Sequence, residues 1–279
     1  MVRVSDGKGE MHMRKLMTLL AALMTAVAIG APAGAVTGGE LDGDRHPGVV
    51  LLLMEVNGAP AFRCSATLLS PTVVLTAGHC TNAFPGSPYT GMRVFTESDV
   101  DNGNNNYPFA GPNSVEAVSW AAHPLYETAP FFVHDVGVVI LEEPGVVLDE
   151  EDYGVLPAAN QFDSLTTRRG LQTFTSVGYG LQQINPVFVE SARVRMLAHP
   201  HLIQINGGLV GDFSLLLSNN HSTGGTCFGD SGGPNFLGDS NVVAGVTSFG
   251  LNGNCAGTGG VFRMDRQNVL NFVNSYLHP

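Results

Sequence analysis

A serine hydroxyl is a poor nucleophile near neutral pH; it needs a base to take its proton and an acid to orient that base. Three short segments supply one of each. They are Leu75-Thr76-Ala77-Gly78-His79-Cys80, then His134-Asp135 followed by the apolar run Val136 to Leu141, and Gly229-Asp230-Ser231-Gly232-Gly233-Pro234. Ser231 is the candidate nucleophile, His79 its base and Asp135 the acid that fixes the imidazole's tautomer. The chemistry these residue types can perform together is acyl transfer. The glycines beside Ser231 let the backbone turn N–H groups toward a developing oxyanion, where one donor contributes roughly 3–4 kcal/mol. Alone, each residue has an ordinary reading: a surface histidine, an aspartate capping a strand, a Gly-rich turn. The three segments in combination, each with apolar flanks, favour the catalytic one.

Such residues need elements to hold them. Short apolar runs alternate with turn signals at Val49 to Val56, Ala66 to Leu69, Val73 to Ala77 and Val136 to Leu141. They resume at Thr173 to Gly178, Val187 to Leu197, Phe213 to Leu217 and Val242 to Phe249. Runs of this length, rich in Val and Leu and punctuated by Gly, Pro and Asn, read as strands. Asp101 to Asn106 reads as a polar loop, and the acidic segment Glu142 to Gly154 as a connector between two β-rich halves. From Asp265 to Leu277 the apolar residues Val269, Leu270, Phe272, Val273 and Tyr276 fall at helical spacing.

The composition suits a folded, turn-rich β protein: 44% hydrophobic, 13% charged and 35 glycines in 279 residues. A formal charge of -11 argues against nucleic-acid binding through phosphates. The first 35 residues differ from the rest. Arg14 and Lys15 precede an uncharged apolar run, Leu16 to Gly30, which exits through Ala31-Pro32-Ala33-Gly34-Ala35. This is the pattern of a secretory signal peptide. A membrane anchor is the rival reading, but the run falls short of the ~20 residues needed to span a bilayer. Met11 and Met13 are alternative starts. Cleavage after Ala35 leaves residues 36–279, a chain with no lysine, nine arginines and 22 acidic residues. Its four cysteines, Cys64, Cys80, Cys227 and Cys255, suggest two disulfides outside the cell, in any of three connectivities.

These motifs resemble those of the chymotrypsin/trypsin-like serine proteases. The likeness rests on Thr76-Ala77-Gly78-His79-Cys80, on Asp135 with its apolar strand and on Gly229 to Pro234, and runs from about Val36 to the terminal helix. It implies an all-β fold of two antiparallel six-stranded β-barrels with a C-terminal α-helix. The first barrel covers about 36–150, the second about 151–264 and the helix about 265–277, with the site in the cleft between the barrels. It pairs Cys64 with Cys80 and Cys227 with Cys255, and assigns the oxyanion hole to the N–H groups of Gly229 and Ser231. It also implies that the freed N-terminus of Val36-Thr37-Gly38-Gly39 inserts against Asp230 to form the active pocket, so that signal cleavage itself generates the active terminus.

Substrate selection is the remaining expectation. Family members that cut after Arg or Lys carry an Asp six residues before the catalytic Ser; here that position is Gly225. Thr226, Ser248-Phe249-Gly250 and Gly259-Gly260 match the rest of the pocket wall, with Phe249 in place of Trp and two extra residues in Leu251 to Asn254. A roomy, uncharged pocket favours an apolar or aromatic side chain. Other candidates carry less. His199-Pro200-His201 has no acid or Cys at ligand spacing, Glu97, Asp99, Asp101 and Asn102 fit no EF-hand, and Gly257 to Gly260 lacks the Lys-Ser/Thr of a phosphate loop. The expected protein is a secreted, monomeric serine endopeptidase acting on protein or peptide substrates, with no metal or other cofactor. It has no nucleic-acid partner and no membrane association after signal cleavage. A protease-like binding protein and an esterase with the same triad are the alternatives.

Overall fold

The computed structural model describes residues 36–83, 86, 88–126, 132–167, 172–184 and 189–278; the expected signal peptide lies outside them. In chain order the elements are β1 (Glu40–Leu41), β2 (Val49–Val56), β3 (Ala59–Leu68), β4 (Val73–Thr76), α1 (Gly78–Thr81), β5 (Tyr89–Phe95), β6 (Ser114–Ala122) and β7 (Gly137–Leu141). There follow β8 (Phe174–Gly178), β9 (Gln183–Ile184), β10 (Val189–Glu190), β11 (Met196–Ala198), β12 (Leu202–Gln204), β13 (Ser214–Asn219), β14 (Pro234–Leu237), β15 (Val243–Gly250), β16 (Gly257–Arg263) and α2 (Gln267–Leu277).

The first half is a closed antiparallel barrel in the order β2-β3-β4-β7-β6-β5. Strand β2 shows why its sequence is apolar without alternation. Val50, Leu52 and Met54 enter one core cluster with Ala66, Leu68, Val74 and Val139 of the barrel strands. Val49, Leu51 and Leu53 point the other way, into a cluster shared with Val177, Phe236, Val246 and Phe262 of the second half. Because side chains alternate between the two faces of a strand, a strand buried on both faces is apolar throughout.

The second half is an eight-stranded antiparallel sheet in the order β1-β11-β8-β14-β15-β16-β13-β12, around a core that includes Phe162, Phe174, Leu215, Leu217 and Val261. It departs from a continuous six-stranded barrel. Strand β12 at one end and β11, next to β1 at the other, are halves of one bent segment interrupted at Pro200, which has no N–H to give a ladder. The sheet still curls onto itself, as Phe174 N–H donates to Pro200 C=O at 2.9 Å and Leu202 N–H to Gln172 C=O at 2.9 Å. Helix α2 buries Val269, Leu270 and Val273, and Val269 and Val273 extend the cluster between the halves.

The segment before β2 ties the halves together. Arg195, with its side chain 1% exposed, meets fully buried Asp42 at 2.7 Å, and its guanidinium also donates to the carbonyls of Val49 at 3.0 Å and Gly43 at 2.7 Å. Hydrogen bonds that occupy both charges offset the cost of burying them. The connector expected at Glu142 to Gly154 does lie between the halves, with one 3-10 turn at Glu150–Asp152.

Candidate active site

Adjacent strands bring the base and the acid together. Strands β4 and β7 pair with Thr76 opposite Gly137, so the residues just beyond Thr76 and just ahead of Gly137 share one end of the barrel. At Ala77 the backbone is extended, and α1 then makes a single turn carrying His79. Gly78 keeps that turn close. A Cβ there would lie 3.1 Å from the Val136 nitrogen and 3.2 Å from an Asp135 carboxylate oxygen, and would push the acid away.

Asp135 is fully buried, and both of its carboxylate oxygens face the base, with one also held by Ser248. It accepts from the His79 backbone N–H at 2.8 Å, from His79 Nδ1–H at 2.9 Å and from Ser248 Oγ–H at 2.5 Å. With Nδ1 engaged, the neutral imidazole presents Nε2 as its acceptor. Burial by itself would push the imidazolium down. The charge of Asp135 and the hydrogen bond to it more than reverse this, holding His79 above its ordinary value.

Ser231 comes from the other half, in the turn ahead of β14. Gly229 and Gly232 flank it with φ of 96° and 77°, a region open to glycine and unfavourable to other residues. The turn is fixed by Gly232 N–H to Thr247 C=O at 2.8 Å, Gly233 N–H to Asp230 C=O at 2.8 Å and Ser65 N–H to Ser231 C=O at 2.9 Å. The N–H groups of Gly229 and Ser231 donate to nothing among the described residues. Two free donors on one tight turn form a ready acceptor site for an anionic oxygen. No hydrogen bond joins Ser231 Oγ to His79 Nε2 among the described residues; catalytic hydrogen bonds are often long before substrate binds.

Beside Ser231 lies a cavity of about 480 Å³ lined by Thr226, Ser248, Phe249 and Gly250, with Asn219 and Thr258 adding polar atoms. Among the described residues, none of its lining side chains is charged. Gly225 and Gly260 lie behind two of its lining residues: Gly225 against the side chain of Asn219, and Gly260 against the ring of Phe249. Asn219 is one of the lining residues that sequence reasoning passed over, with Phe228, Thr247 and Thr258. Its Oδ1 accepts from Thr37 Oγ1 at 2.8 Å and its Nδ2 donates to Thr226 C=O at 2.7 Å. Disulfides Cys64–Cys80 and Cys227–Cys255 brace the His79 turn and the cavity wall.

Val36 is fully buried against Met196 and Ala198, and Gly225 N–H donates to Thr37 C=O at 3.1 Å. Asp230 is buried as well. Burial pushes its carboxyl from 3.8 up to about 7, against the pull of hydrogen bonds from the N–H groups of Cys227 and Gly180. Those bonds are each 2.8 Å long.

Two other groups of candidate ligands are occupied by protein. Glu97, Asp99 and Asp101 accept from the backbone N–H groups of Asn104, Asn102 and Arg193 at 2.8, 3.0 and 2.8 Å. Cys64, His79 and Cys80 cluster within metal-binding reach, but the two sulfurs are bonded to each other and offer no thiolate. No helix among the described residues is long and apolar enough to cross a membrane.

A family model described as Trypsin matches residues 40–272. A venom serine protease of Polistes dominula is 24% identical over 235 residues, spanning 78% of this chain and 77% of the relative. Among solved structures, HL collagenase aligns with a TM-score of 0.65 at 18% identity, covering 88% of this chain and 99% of that one. A variant of human heparin binding protein aligns with a TM-score of 0.63 at 18% identity, covering 87% and 96%. At that identity the two structures establish the fold.

Proposed function

Because the chain belongs to the trypsin family of serine proteases, we propose that it is a secreted serine endopeptidase working through Ser231, His79 and Asp135. The observation that carries this reading is the meeting, in one cleft, of the Asp135–His79 pair and a turn whose Gly229 and Ser231 N–H groups are free. Ser231 Oγ attacks the scissile carbonyl while His79 Nε2 takes its proton. The carbonyl oxygen, now an anion, accepts from Gly229 and Ser231 N–H. His79 passes the proton to the departing amine as the C–N bond breaks, leaving an acyl-enzyme. Water then attacks with His79 again as base, releasing the acid and restoring Ser231. Asp135 orients the ring and stabilises its positive charge throughout.

The uncharged cavity supports an apolar or aromatic residue before the cleaved bond. The apolar segment at residues 1–35 and two disulfides support secretion, and the burial of both Val36 and Asp230 supports activation by signal cleavage. Protein beginning at Val36 is expected to react at Ser231 with a serine-directed phosphonylating reagent and to cleave a peptide library after uncharged residues. Absence of labelling in folded protein would refute the catalytic reading. It would favour a protease-like binding module. Turnover of esters without amides would favour an esterase.

A further inference from the structure

Among the described arginines, Arg63 alone makes no ion pair; Arg45, Arg93, Arg193, Arg195, Arg263 and Arg266 each meet a carboxylate. Arg63 lies in β3, opposite Leu53 of β2. It is partly buried, and its Nε is sealed from solvent with no acceptor among the described residues. Burial, reinforced by the charge of Arg193, holds its guanidinium below the ordinary value, and Tyr107 and Asp101 offset this only in part. Asp101 is already engaged by Arg193, through a contact of 3.8 Å and a hydrogen bond of 2.8 Å from the Arg193 backbone N–H. Arg63 and Arg193 thus have one carboxylate between them. A cation withdrawn from water is costly unless paired, and this one stands beside the oxyanion turn.

A Cβ on Gly229 would lie 3.8 Å from Arg63 Nε, and Cys64, the next residue, bridges to Cys80 beside His79. Arg63 takes no part in the cavity assigned above to the residue before the cleaved bond. A substrate that fills that cavity and turns its carbonyl oxygen to the Gly229 N–H sends its departing segment the other way, past Gly229 and the Cys64–Cys80 bridge. We propose that Arg63 is a specificity-determining residue that receives a carboxylate side chain, Asp or Glu, from one of the first two residues after the cleaved bond. This inference rests on the peptidase reading above. Such a carboxylate supplies the acid that Arg63 lacks, and a guanidinium offers it two parallel N–H donors. A Lys or Arg in the same place meets like charge. The rest of the chain pulls the opposite way: residues 36–279 carry 22 acidic residues against nine arginines, a field that repels acidic peptides. A preference for them therefore has to come from a local cation.

The test uses protein beginning at Val36, with both disulfides formed, acylated at Ser231 by an ester substrate. Dipeptide amides are then offered as acceptors. The amine attacks the acyl carbonyl, its proton passes through His79 to the departing Ser231 Oγ, and a peptide bond replaces the ester. Partition between these amines and water isolates the departing side, because the acyl group in the cavity is the same throughout. Ala-Asp and Asp-Ala amides are compared with Ala-Lys and Lys-Ala amides. A hydrogen bond to a charged group corresponds to roughly 10- to 100-fold, so the better acidic acceptor should exceed its lysine counterpart by at least about tenfold. Arg63→Gln should bring the ratio close to unity, and Arg63→Lys should retain part of it. An equal partition in the unsubstituted protein, or a preference that survives Arg63→Gln, would overturn the proposal. If Ser231 is not acylated, the peptidase reading fails, and equilibrium binding of the same amides decides on Arg63 alone. Tighter binding of the acidic amides, lost in Arg63→Gln, supports the carboxylate site, and equal binding overturns it.

Discussion

Freeing the Val36 amine should change how the protein's stability responds to pH, and Asp230 sets the size of the change. With the Val36 nitrogen in a peptide bond, the Asp230 carboxyl sits buried with two N–H donors and, among the described residues, no cation, and its pKa rises from 3.8 to about 7. A carboxyl whose folded pKa is raised favours the folded state while protonated. That stabilisation is complete below about pH 4 and is lost as pH rises through 7. The full displacement is worth about 4 kcal/mol, of which roughly 2–3 kcal/mol is lost between pH 5 and pH 8. A Val36 ammonium beside Asp230 favours the ionised carboxylate and removes most of that loss. The assay is urea unfolding at both pH values on two preparations, one beginning at Val36 and one extended upstream, with disulfides intact. Every titrating side chain of residues 36–279 is common to the two, and an extension of Gly34-Ala35 adds none. The extended protein should lose roughly 2–3 kcal/mol more on going to pH 8, and Asp230→Asn should abolish the difference. Identical pH dependence in the two preparations would refute the pairing of Val36 with Asp230.

Asp135→Asn is expected to lower kcat by about 10⁴-fold through loss of the correct tautomer. It should also move the acid limb of the pH–rate profile downward, since Asp135 is what raises His79. Removing the Cys64–Cys80 bridge, which spans a sequence separation of 16, should cost about 3 kcal/mol in denaturant unfolding. Against a peptide library, kcat/KM for Phe or Leu before the cleaved bond should exceed that for Arg or Lys by more than about tenfold, as an uncharged pocket leaves a cation's desolvation uncompensated.

His79, Asp135 and Ser231 stood out in the sequence because the acyl transfer proposed for them restricts residue type, and because glycines sit at fixed offsets in the turns that carry His79 and Ser231. Strand β2 was legible because both its faces are buried. Strands β5, β6, β14 and β16 were not singled out. Ser114–Ala122 turns much of its surface to solvent and mixes polar with apolar residues. Gly257–Arg263 opens with glycines that read as a loop until β13 and β15 pair with it on either side. Ser65 and Asn219 carry no signal in their neighbourhoods. Their partners lie 164 residues away at Gly229 and 182 residues away at Thr37, so their roles exist only once the halves have packed. Pro200 is visible in the sequence, but the break it makes in the second sheet depends on which strand it interrupts.

Strand β1 pairs Glu40 with Leu197 and Leu41 with Met196, occupying the outer edge of β11. An uncovered strand edge is a template for strands of other molecules. A chain whose first residues have not docked therefore lacks more than a formed pocket: it displays a bare edge of the second sheet. Docking of residues 36–41 closes that edge, so protection against self-association depends on the same few residues to which activation is assigned in the proposed function.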